Sequence, residues 1–516
     1  MYIASQGVTK YTINDFWRML WQYDVETIVM LTGLVEAGIR KCELYWPEEK
    51  GQKRIFGRVT VILLDTDSFA DFEIRTLQMT VDNQSKLLTQ LHYTAWPDNG
   101  VPNVASSIVQ FWKRVNRVHT DNPIAVHCSA GVGRTGTYIA LDYLIHQAQA
   151  EGHVNVSACI SNLRRQRVNL VQTKKQYIFL HEILVEALML SETATSSTNF
   201  PNMLQEMLEV DYESGKLKLQ LEYEKLQNDV VKHEVVHAII RNEDEDDSMV
   251  GSTKQDFSAA KQPGNRFQIR PDNIFPADRH RVFLSTPVFD RDDYFNAVVL
   301  PSHRQKEGFI LTQMPMADRV IDFWRLIYDY EIRTIVMFSS NSSKSRDIGI
   351  YRPTDGEMLA GPFTIRLTKQ EKQKYYIEST ISLSFRGDEN GTSVRQFQFT
   401  NWAETADVPG STESLLQLLD AVESWQKCSE AKSVVVHCLH GALRSGLYCV
   451  ISTVIERLKA EGDVAIAQTI KSMGTIHQEL IPNYEQFWFC HECILQYMKA
   501  FNHTPTAATT DSSSPA

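Results

Sequence analysis

Two short apolar runs in the chain are rich in β-branched residues, and each leads directly into a glycine-containing loop. They are PIAV at 123–126 and VVV at 434–436. A longer segment with helical periodicity follows the first loop, from 136 to 152. Strand, loop and helix in this order are typical of an α/β domain with the loop at the carboxyl end of a strand. Ligands bind at that edge of such sheets.

The hydrophobic pattern of the first part of the chain recurs in its second half at a nearly constant distance. DFWRMLW at 15–21 returns as DFWRLIY at 322–328, a shift of 307 residues. Cys128 and Cys438, each preceded by histidine, are 310 residues apart. A shift that stays so nearly constant over this length indicates two homologous domains in tandem.

The repeat predicts the domain organisation. We expect a first domain over 1–190, a Ser/Thr-rich linker over 191–202, a second domain over 203–502 and a low-complexity tail over 503–516. A length of 516 residues also exceeds what one hydrophobic core usually holds. The predicted fold class is α/β (α+β).

Composition and charge exclude several classes of protein. Hydrophobic residues make up 43% and charged residues 22%, which is typical of a soluble globular protein. A net charge of −11 argues against a nucleic-acid partner, because a protein that binds a phosphate backbone needs a basic face. No run approaches the ~20 apolar residues of a membrane span. Eight cysteines without regular spacing suit a reducing compartment, so we expect a cytoplasmic protein.

The loop HCSAGVGRTG at 127–136 has small residues at nearly every position between a cysteine and an arginine. Small residues allow backbone N–H groups to surround one anion, helped by the amino end of the following helix. Cys128 would lie inside this ring of donors, which stabilises a thiolate. Arg134 adds a planar donor for two phosphate oxygens. The pattern indicates attack by sulfur on phosphorus.

Three other interpretations compete with phosphate chemistry. A lone cysteine is usually a buried structural residue, but the histidine and the Gly-x-x-Arg-Thr-Gly pattern beside Cys128 disfavour that interpretation. A thiol protease would need a separate histidine base, to which nothing in the sequence points. FCHEC at 489–493 suggests a metal, yet its two cysteines and histidine crowd one helical turn. We therefore expect no metal and no cofactor.

The first domain resembles a tyrosine-specific protein phosphatase, and the tandem pair resembles the cytoplasmic half of a receptor-type tyrosine phosphatase. Four motifs in the family's order carry the resemblance: VEAGIRKC at 35–42, HYTAWPDNGVP at 92–102, the cysteine loop at 127–136 and VQTKKQYIF at 171–179. The resemblance implies two twisted mixed β-sheets flanked by helices. It also implies hydrolysis of phosphotyrosine through a cysteinyl-phosphate intermediate on the first domain.

The resemblance assigns roles to the residues around the nucleophile. Cys128 would attack phosphorus, while Asp98 would protonate the leaving tyrosine oxygen and later act as the base that activates water. Glu36 would hold Arg134, and Lys41 would face Asp98. Taken alone, the Pro-Asp-Asn-Gly stretch at 97–100 is typical of an ordinary turn. Glu36 and Lys41, taken alone, are typical of ordinary surface charges.

The remaining roles concern the phosphate cradle and the second chemical step. Gln172 would position the water that hydrolyses the intermediate, with Gln176 assisting, and Thr135 would donate to the sulfur. The competing interpretation of Gln172 and Gln176 is that both are ordinary surface glutamines. The phosphate would be bound by Arg134 and by the loop residues Ser129, Ala130, Gly131, Val132 and Gly133.

The first domain departs from the family at its amino end. The family's phosphotyrosine-recognition loop would lie before YIASQG at 2–7, so we expect this domain to lack it. A tyrosine of that loop walls the deep slot that excludes the shorter phosphoserine side chain. The expected consequence is lower stability or looser selectivity.

The second domain departs from the family at its catalytic positions. Cys438 and Arg444 are kept, and Ser445 takes the place of the threonine. Glu404 stands at the position of the acid, and Pro482 at that of the water-positioning glutamine. Bulkier residues also occupy the phosphate loop, namely Leu439, His440 and Leu443. Pro271 stands at the position of the recognition tyrosine.

These combined changes predict that the second domain is a non-catalytic regulatory or docking domain. Its Cys438 would be either redox-sensitive or an inert buried thiol. Two functions compete with a tyrosine phosphatase: a catalytically weak or dead scaffold for protein docking, and a cysteine phosphatase with broader substrates such as phosphoserine or phosphoinositide. The expected partners are phosphotyrosine proteins and docking partners of the second domain. We expect a membrane-proximal cytoplasmic location if a receptor anchor lies outside this chain.

Overall fold

The chain divides into two units, Met1–Glu192 and Thr193–Ala516. A computed structural model describes residues 1–97, 100–102, 104–118, 121–189, 194–227, 257–266, 268–270, 274–338, 348–388, 391–429, 431–477 and 479–501. Among these residues, no helix is both long enough and apolar enough to cross a membrane.

The first unit is built around one mixed β-sheet. Its described strands are β1 Tyr2–Ser5, β2 Thr27–Met30, β3 Val35–Glu36, β4 Ile39–Arg40, β5 Lys53–Phe56, β6 Val59–Ser68, β7 Phe72–Val81, β8 Gln84–Tyr93 and β9 Ile124–His127. The sheet has the order β1-β9-β2-β8-β7-β6-β5 within the described residues, and β3 pairs with β4 as a separate hairpin. β1, β9, β2 and β8 are parallel, and the strands from β8 to β5 are antiparallel.

Helices flank this sheet and complete its core. Those described are α1 Ile13–Gln22, α2 Ala105–Asn116, α3 Gly133–Glu151, α4 Val156–Gln166 and α5 Lys174–Met189. α1 buries Phe16, Trp17 and Leu20, which share one face at helical spacing. The indole Nε1 of Trp17 donates to the Tyr45 carbonyl oxygen over 2.9 Å. α3 ends at Gly152, whose φ of 73° is a left-handed conformation that glycine adopts without steric cost.

The second unit repeats this sheet and extends it by one strand. Its described strands are β10 Thr195–Ser196, β11 Ala297–Leu300, β12 Phe309–Gln313, β13 Thr334–Met337, β14 Glu357–Ala360, β15 Phe363–Lys372, β16 Tyr376–Phe385, β17 Thr392–Phe399, β18 Val434–Cys438 and β19 Asp463–Val464. The order of the described sheet is β11-β12-β18-β13-β17-β16-β15-β14. β12, β18, β13 and β17 are parallel, and β11 lies antiparallel beside β12.

The helices of the second unit follow the same plan. Those described are α6 Phe200–Met207, α7 over 218–227, α8 Ser258–Lys261, α9 Pro263–Arg266, α10 Val320–Asp329, α11 Thr412–Ser429, α12 Leu443–Glu461, α13 Ile466–Gly474 and α14 Tyr484–Phe501. α10 repeats the contact that α1 makes, because Nε1 of Trp324 donates to the Tyr351 carbonyl oxygen over 2.7 Å. The predicted α/β fold with two mixed sheets is confirmed.

The stretch predicted to be a linker is described only from residue 194. Within it, β10 pairs antiparallel with β19, and α6 begins at Phe200, whose ring is fully buried. The described part of this stretch therefore contributes to the sheet contacts and the core of the second unit. The predicted tail over 503–516 lies outside the described residues.

Candidate active site

The cysteine loop of the first unit connects β9 to α3. Cys128 follows β9 directly, at the carboxyl end of a strand with parallel neighbours on both sides, and its side chain is buried. The backbone N–H of Gly131 donates to Cys128 Sγ over 3.3 Å. Gly131 has a φ of 70°, and a Cβ there would overlap the carbonyl oxygen of Ser5. Only glycine therefore fits where the loop curls around the sulfur.

Arg134 lies in the first turn of α3 and is held in one orientation. Its Nη1 donates to Glu36 Oε1 over 2.6 Å, and its Nη2 donates to Glu36 Oε2 over 2.9 Å. The carbonyl oxygens of Leu31 and Pro97 accept further hydrogen bonds from the same guanidinium, over 3.1 and 3.0 Å. Such a bidentate pair fixes the plane of the guanidinium as well as its position.

Glu36 carries the negative charge that balances this arginine. Burial alone would raise the pKa of its carboxyl group. Hydrogen bonds from Arg134, from the Gly33 backbone N–H and from the Thr32 hydroxyl outweigh the burial, so the pKa lies below its ordinary value of 4.5. Glu36 is therefore ionised near neutral pH and pairs with a permanently charged guanidinium.

The predicted acid loop is described on both sides of its acid. Trp96 is buried, and its Nε1 donates to the Gly100 carbonyl oxygen over 3.2 Å. The Arg134 guanidinium carbon lies 5.8 Å from the centre of the Trp96 ring and, as noted above, Arg134 binds the Pro97 carbonyl. Asp98 itself lies outside the described residues. Trp96 and Pro97, which precede it, thus both contact Arg134.

The predicted glutamine loop lies beside the cysteine loop. Gln176 is buried, and its Oε1 accepts from the Gln172 backbone N–H over 2.9 Å, whereas the Gln172 side chain is exposed. The Gln176 side chain also lies against the Gly133 backbone, because a Cβ on Gly133 would lie 2.7 Å from Gln176 Nε2.

Two further residues predicted at the site lie on other segments. Lys41 is half-buried at the end of the segment that carries Glu36. Thr135 is fully buried, and its hydroxyl has no hydrogen-bond partner among the described residues.

Arg167 is a residue of this site that the sequence analysis missed. It follows α4, and its Nε and Nη2 donate to the carbonyl oxygens of Gly131 and Ala130, over 2.8 and 3.3 Å. A trans peptide points its C=O and N–H in opposite directions. Holding the Ala130 carbonyl outward therefore turns the Gly131 N–H inward, toward Cys128. The signal in the sequence is the arginine-rich stretch LRRQR at 163–167.

Three buried side chains next to the cysteine loop, those of His127, Tyr45 and Gln90, are linked by hydrogen bonds. His127 Nε2 and the Tyr45 hydroxyl lie 2.8 Å apart, and Gln90 Nε2 donates to the same hydroxyl over 2.7 Å. Burial lowers the pKa of His127 to about 4, so the ring is neutral near neutral pH. His437 and Tyr351 repeat this pair in the second unit, at 2.9 Å. The buried histidine–tyrosine pair is therefore present in both units, whereas Gln396 of the second unit donates to Met337 Sδ over 3.3 Å.

We expect Arg167→Gln to lower kcat for a phosphotyrosine peptide by about 10- to 100-fold, because the loop amides lose the group that orients them. Arg165→Gln is the matched control, since Arg165 lies two residues earlier, in the last turn of α4, and its side chain is exposed. Alkylation of Cys128 by iodoacetate should slow in parallel with kcat. Equal activity of the two variants would contradict the positioning role.

The corresponding loop of the second unit has different contacts. Cys438 is buried, and its Sγ lies 3.4 Å from the Ser445 hydroxyl. Arg444 donates to the carbonyl oxygens of Phe338, Ala403 and Glu404, over 3.3, 2.7 and 3.0 Å. Burial lowers the pKa of Arg444 below its ordinary value. Arg444 is thus bound by backbone carbonyl oxygens, whereas Arg134 of the first unit is also bound by the Glu36 carboxylate.

At two positions the second unit lacks a residue that belongs to the cysteine loop of the first unit or contacts it: Leu443 replaces Gly133, and His477 replaces Arg167. Leu443 stands where Gly133 lets Gln176 approach the backbone, and Gln486 donates instead to the Asp407 carbonyl oxygen over 3.0 Å. His477 stands at the position of Arg167 by the 310-residue shift. Burial lowers the pKa of His477 to about 4, so it carries no charge near neutral pH. Pro271, at the recognition position, lies outside the described residues.

No group of three or more histidine, cysteine or acidic residues is placed to bind a metal in the described part of the chain. All eight cysteines are free thiols. The donor that the structure places on the Cys128 sulfur is the backbone N–H of Gly131.

Known proteins resemble the chain over almost its full length. The family model described as protein-tyrosine phosphatase matches residues 1–186 and 265–496. Receptor-type tyrosine-protein phosphatase U of Gallus gallus is 32% identical over 507 residues, which cover 97% of this chain and 34% of the relative. Receptor-type tyrosine-protein phosphatases alpha and epsilon of Homo sapiens are 30% and 33% identical, each over 97% of this chain and over 61% and 70% of their own lengths.

The chain belongs to the protein-tyrosine phosphatase family, and it carries the family's domain twice in tandem. The resemblance found in the sequence is thereby confirmed. The first two of these relatives extend well beyond the matched region, since the chain spans 34% and 61% of their lengths.

Proposed function

We propose that the first unit hydrolyses phosphotyrosine in proteins through a cysteinyl-phosphate intermediate. The observation that carries the proposal is the arrangement around Cys128: a backbone N–H on its sulfur and, six residues later, an arginine held by both oxygens of Glu36. Fixed donors that need no reorganisation are what phosphoryl transfer requires. The membership of the chain in the protein-tyrosine phosphatase family supports the same reaction.

In the first step, the Cys128 thiolate attacks phosphorus and displaces the tyrosine oxygen. The phosphoryl oxygens are bound by Arg134 and by the amides of residues 129–133, and the negative charge of the transferring group stays in contact with these donors. Asp98 gives its proton to the departing oxygen, which leaves as a neutral phenol. Lys41 supports the acid loop from the segment that carries Glu36.

In the second step, water attacks the phosphorus of the phosphocysteine, the S–P bond breaks, and the Cys128 thiolate is restored. Asp98, now ionised, takes the proton from that water, while Gln172 positions it and Gln176 assists. The Gln176 contact with the Gln172 backbone supports this role, because it fixes the loop that carries both residues. Thr135 eases the departure of the sulfur by donating its hydroxyl hydrogen, which no other described group accepts.

The second unit, in this proposal, is a pseudophosphatase with a regulatory or docking role. Leu443 carries a side chain at the position where Gly133, which has none, leaves room for the Gln176 side chain. Glu404, at the position of the acid, has its carbonyl oxygen bound to Arg444. A neutral histidine, His477, stands at the position of Arg167, whose charged guanidinium binds two carbonyl oxygens of the first cysteine loop. The scaffold is retained while the catalytic contacts are lost, which suits a domain that binds without turnover.

The proposed substrates are phosphotyrosine proteins, and the proposed location is the cytoplasm. Eight free thiols support a reducing compartment. The relatives are named receptor-type, and we propose that this chain also serves as the cytoplasmic part of such a receptor.

Hydrolysis of matched phosphotyrosine and phosphoserine peptides tests the proposal. We expect turnover of the phosphotyrosine peptide to be about 10²-fold faster, since a phenol with a pKa near 10 leaves far more easily than an alkyl alcohol. Similar turnover of both peptides would favour a cysteine phosphatase of broad substrate range. A folded chain without turnover of either peptide would favour a docking scaffold.

A further inference from the structure

Tyr212 lies at the tip of a turn between α6 and α7, with its side chain entirely in solvent. Its exposed fraction is 101%. The next three residues, over 213–215, are exposed as well. A tyrosine ring stabilises a fold mainly through the apolar area that it buries. Tyr212 buries none, so the fold does not account for an aromatic residue at this position.

The turn is stabilised without any contribution from the Tyr212 ring. Val210 and Leu217 pair as an antiparallel bridge, and the Asp211 N–H donates to the Lys216 carbonyl oxygen over 2.8 Å. Asp211 Oδ1 accepts from the Ser214 N–H over 2.8 Å. The turn therefore presents the tyrosine hydroxyl outward on a backbone that is fixed on both sides.

Acidic side chains surround Tyr212 in sequence. Glu209, Asp211 and Glu213 lie within three residues of it. The two lysines of the turn are paired with carboxylates, Lys216 with Glu224 at 2.6 Å and Lys218 with Glu209 at 2.8 Å. With both lysines and Glu209 in ion pairs, Asp211 and Glu213 give the tip a net negative charge beside an accessible phenol.

We propose that Tyr212 is an acceptor site for a protein-tyrosine kinase with a basic substrate groove. The kinase transfers the γ-phosphoryl group of ATP to Tyr212 Oη. The new O–P bond forms as the bond from the γ-phosphorus to the bridging oxygen breaks, ADP leaves, and the hydroxyl proton passes to the kinase base. The product adds a charge of about −1.5 to −2 at the tip. This inference does not depend on the proposed phosphatase activity, which would act only on how long the phosphate persists.

Tyr11 provides a matched internal control. It is 81% exposed, so a kinase can reach both tyrosines. Its neighbour is basic, with Lys10 Nζ lying 4.9 Å from the centre of its ring. The residues adjacent to the two tyrosines therefore differ in charge, with Lys10 beside Tyr11 and two carboxylates beside Tyr212, and a basic groove favours the second.

The test uses the full chain with Cys128→Ser, so that the first unit cannot remove the label. Incubated with radiolabelled ATP and an acid-directed tyrosine kinase domain, it should incorporate phosphate at Tyr212 about tenfold faster than at Tyr11. Tyr212→Phe should abolish the label in that tryptic peptide. Glu213→Gln should slow incorporation about threefold, because it removes one charge and leaves the hydrogen bonds of the turn in place.

Peptide mapping by mass spectrometry gives the outcomes that would overturn the proposal. Equal rates at Tyr11 and Tyr212 would show that exposure alone directs the kinase. An unlabelled Tyr212, with the kinase active on an acidic reference peptide, would remove the site altogether. The result is independent of the phosphopeptide assay of the wild-type chain, so failure of one proposal leaves the other intact.

Discussion

Replacing Cys128 by serine will reduce turnover of a phosphotyrosine peptide by about 10⁴-fold or more. Serine fits the buried position and keeps the contact with the Gly131 N–H, so the loop keeps its shape. Its hydroxyl is not ionised near neutral pH, however, and a neutral oxygen does not displace the tyrosine oxygen at a comparable rate. Initial rates of phosphate release at saturating peptide measure the loss.

The binding of substrate separates loss of chemistry from loss of fold. The Cys128→Ser chain should retain the affinity of the wild-type chain for the phosphotyrosine peptide within about threefold, because Arg134 and the loop amides are unchanged. Isothermal titration of both chains with a non-hydrolysable phosphonate analogue of the peptide measures this affinity. A variant that loses binding together with turnover has lost the loop, and its inactivity would then say nothing about the nucleophile.

Cys438→Ser is the matched control in the second unit. Cys438 is as deeply buried as Cys128 and is the last residue of the central strand β18. Because the second loop lacks the contacts described above, turnover of the whole chain should stay within about twofold of the wild type. A large loss of turnover in Cys438→Ser, with Cys128→Ser still active, would move catalysis to the second unit and contradict the proposed function.

The fold and the position of the cysteine loop could be predicted from the sequence because their signals are local. A β-branched run, a loop of small residues and a helical pattern are consecutive around Cys128, and each follows from backbone sterics. The constant shift between Cys128 and Cys438 extended the prediction to the second unit. The positions of these loops at the ends of β9 and β18 need no knowledge of distant residues.

The parts that could not be predicted depend on contacts between distant segments. Arg167 reaches back 36 residues to Gly131, and neither residue type nor spacing indicates which carbonyl an arginine will bind. The same holds for Gln486, whose side-chain amide donates to the Asp407 carbonyl oxygen, 79 residues away in the chain. The sequence showed that Leu443 replaces Gly133, but it did not show which contacts depend on that position. The structure supplies the physical reason why the changes act together.

Replacing Arg134 by lysine will lower kcat for the phosphotyrosine peptide by about 10³-fold, with a smaller change in KM. A lysine keeps the positive charge, yet its single ammonium cannot bind both Glu36 oxygens and two phosphoryl oxygens in one plane. The lost contacts matter most when charge develops on the transferring group. Arg165→Lys, on the exposed surface of α4, is the control for the chemical change itself.

The pH dependence of unfolding distinguishes a displaced guanidinium from a misfolded site. The folded pKa of Glu36 lies below its unfolded value of 4.5, so the pair stabilises the fold above that pH, and the stabilisation is lost as pH falls through the lower folded pKa. Arg134→Met leaves a buried carboxylate without its partner, which costs about 3 to 5 kcal/mol near neutral pH. Protonation of Glu36 relieves this cost, so the difference in unfolding free energy between Arg134→Met and the wild type should shrink in acid. Denaturant unfolding of both chains at pH 7 and pH 4 measures it, and an unchanged difference would show that Glu36 does not hold this arginine through its charge.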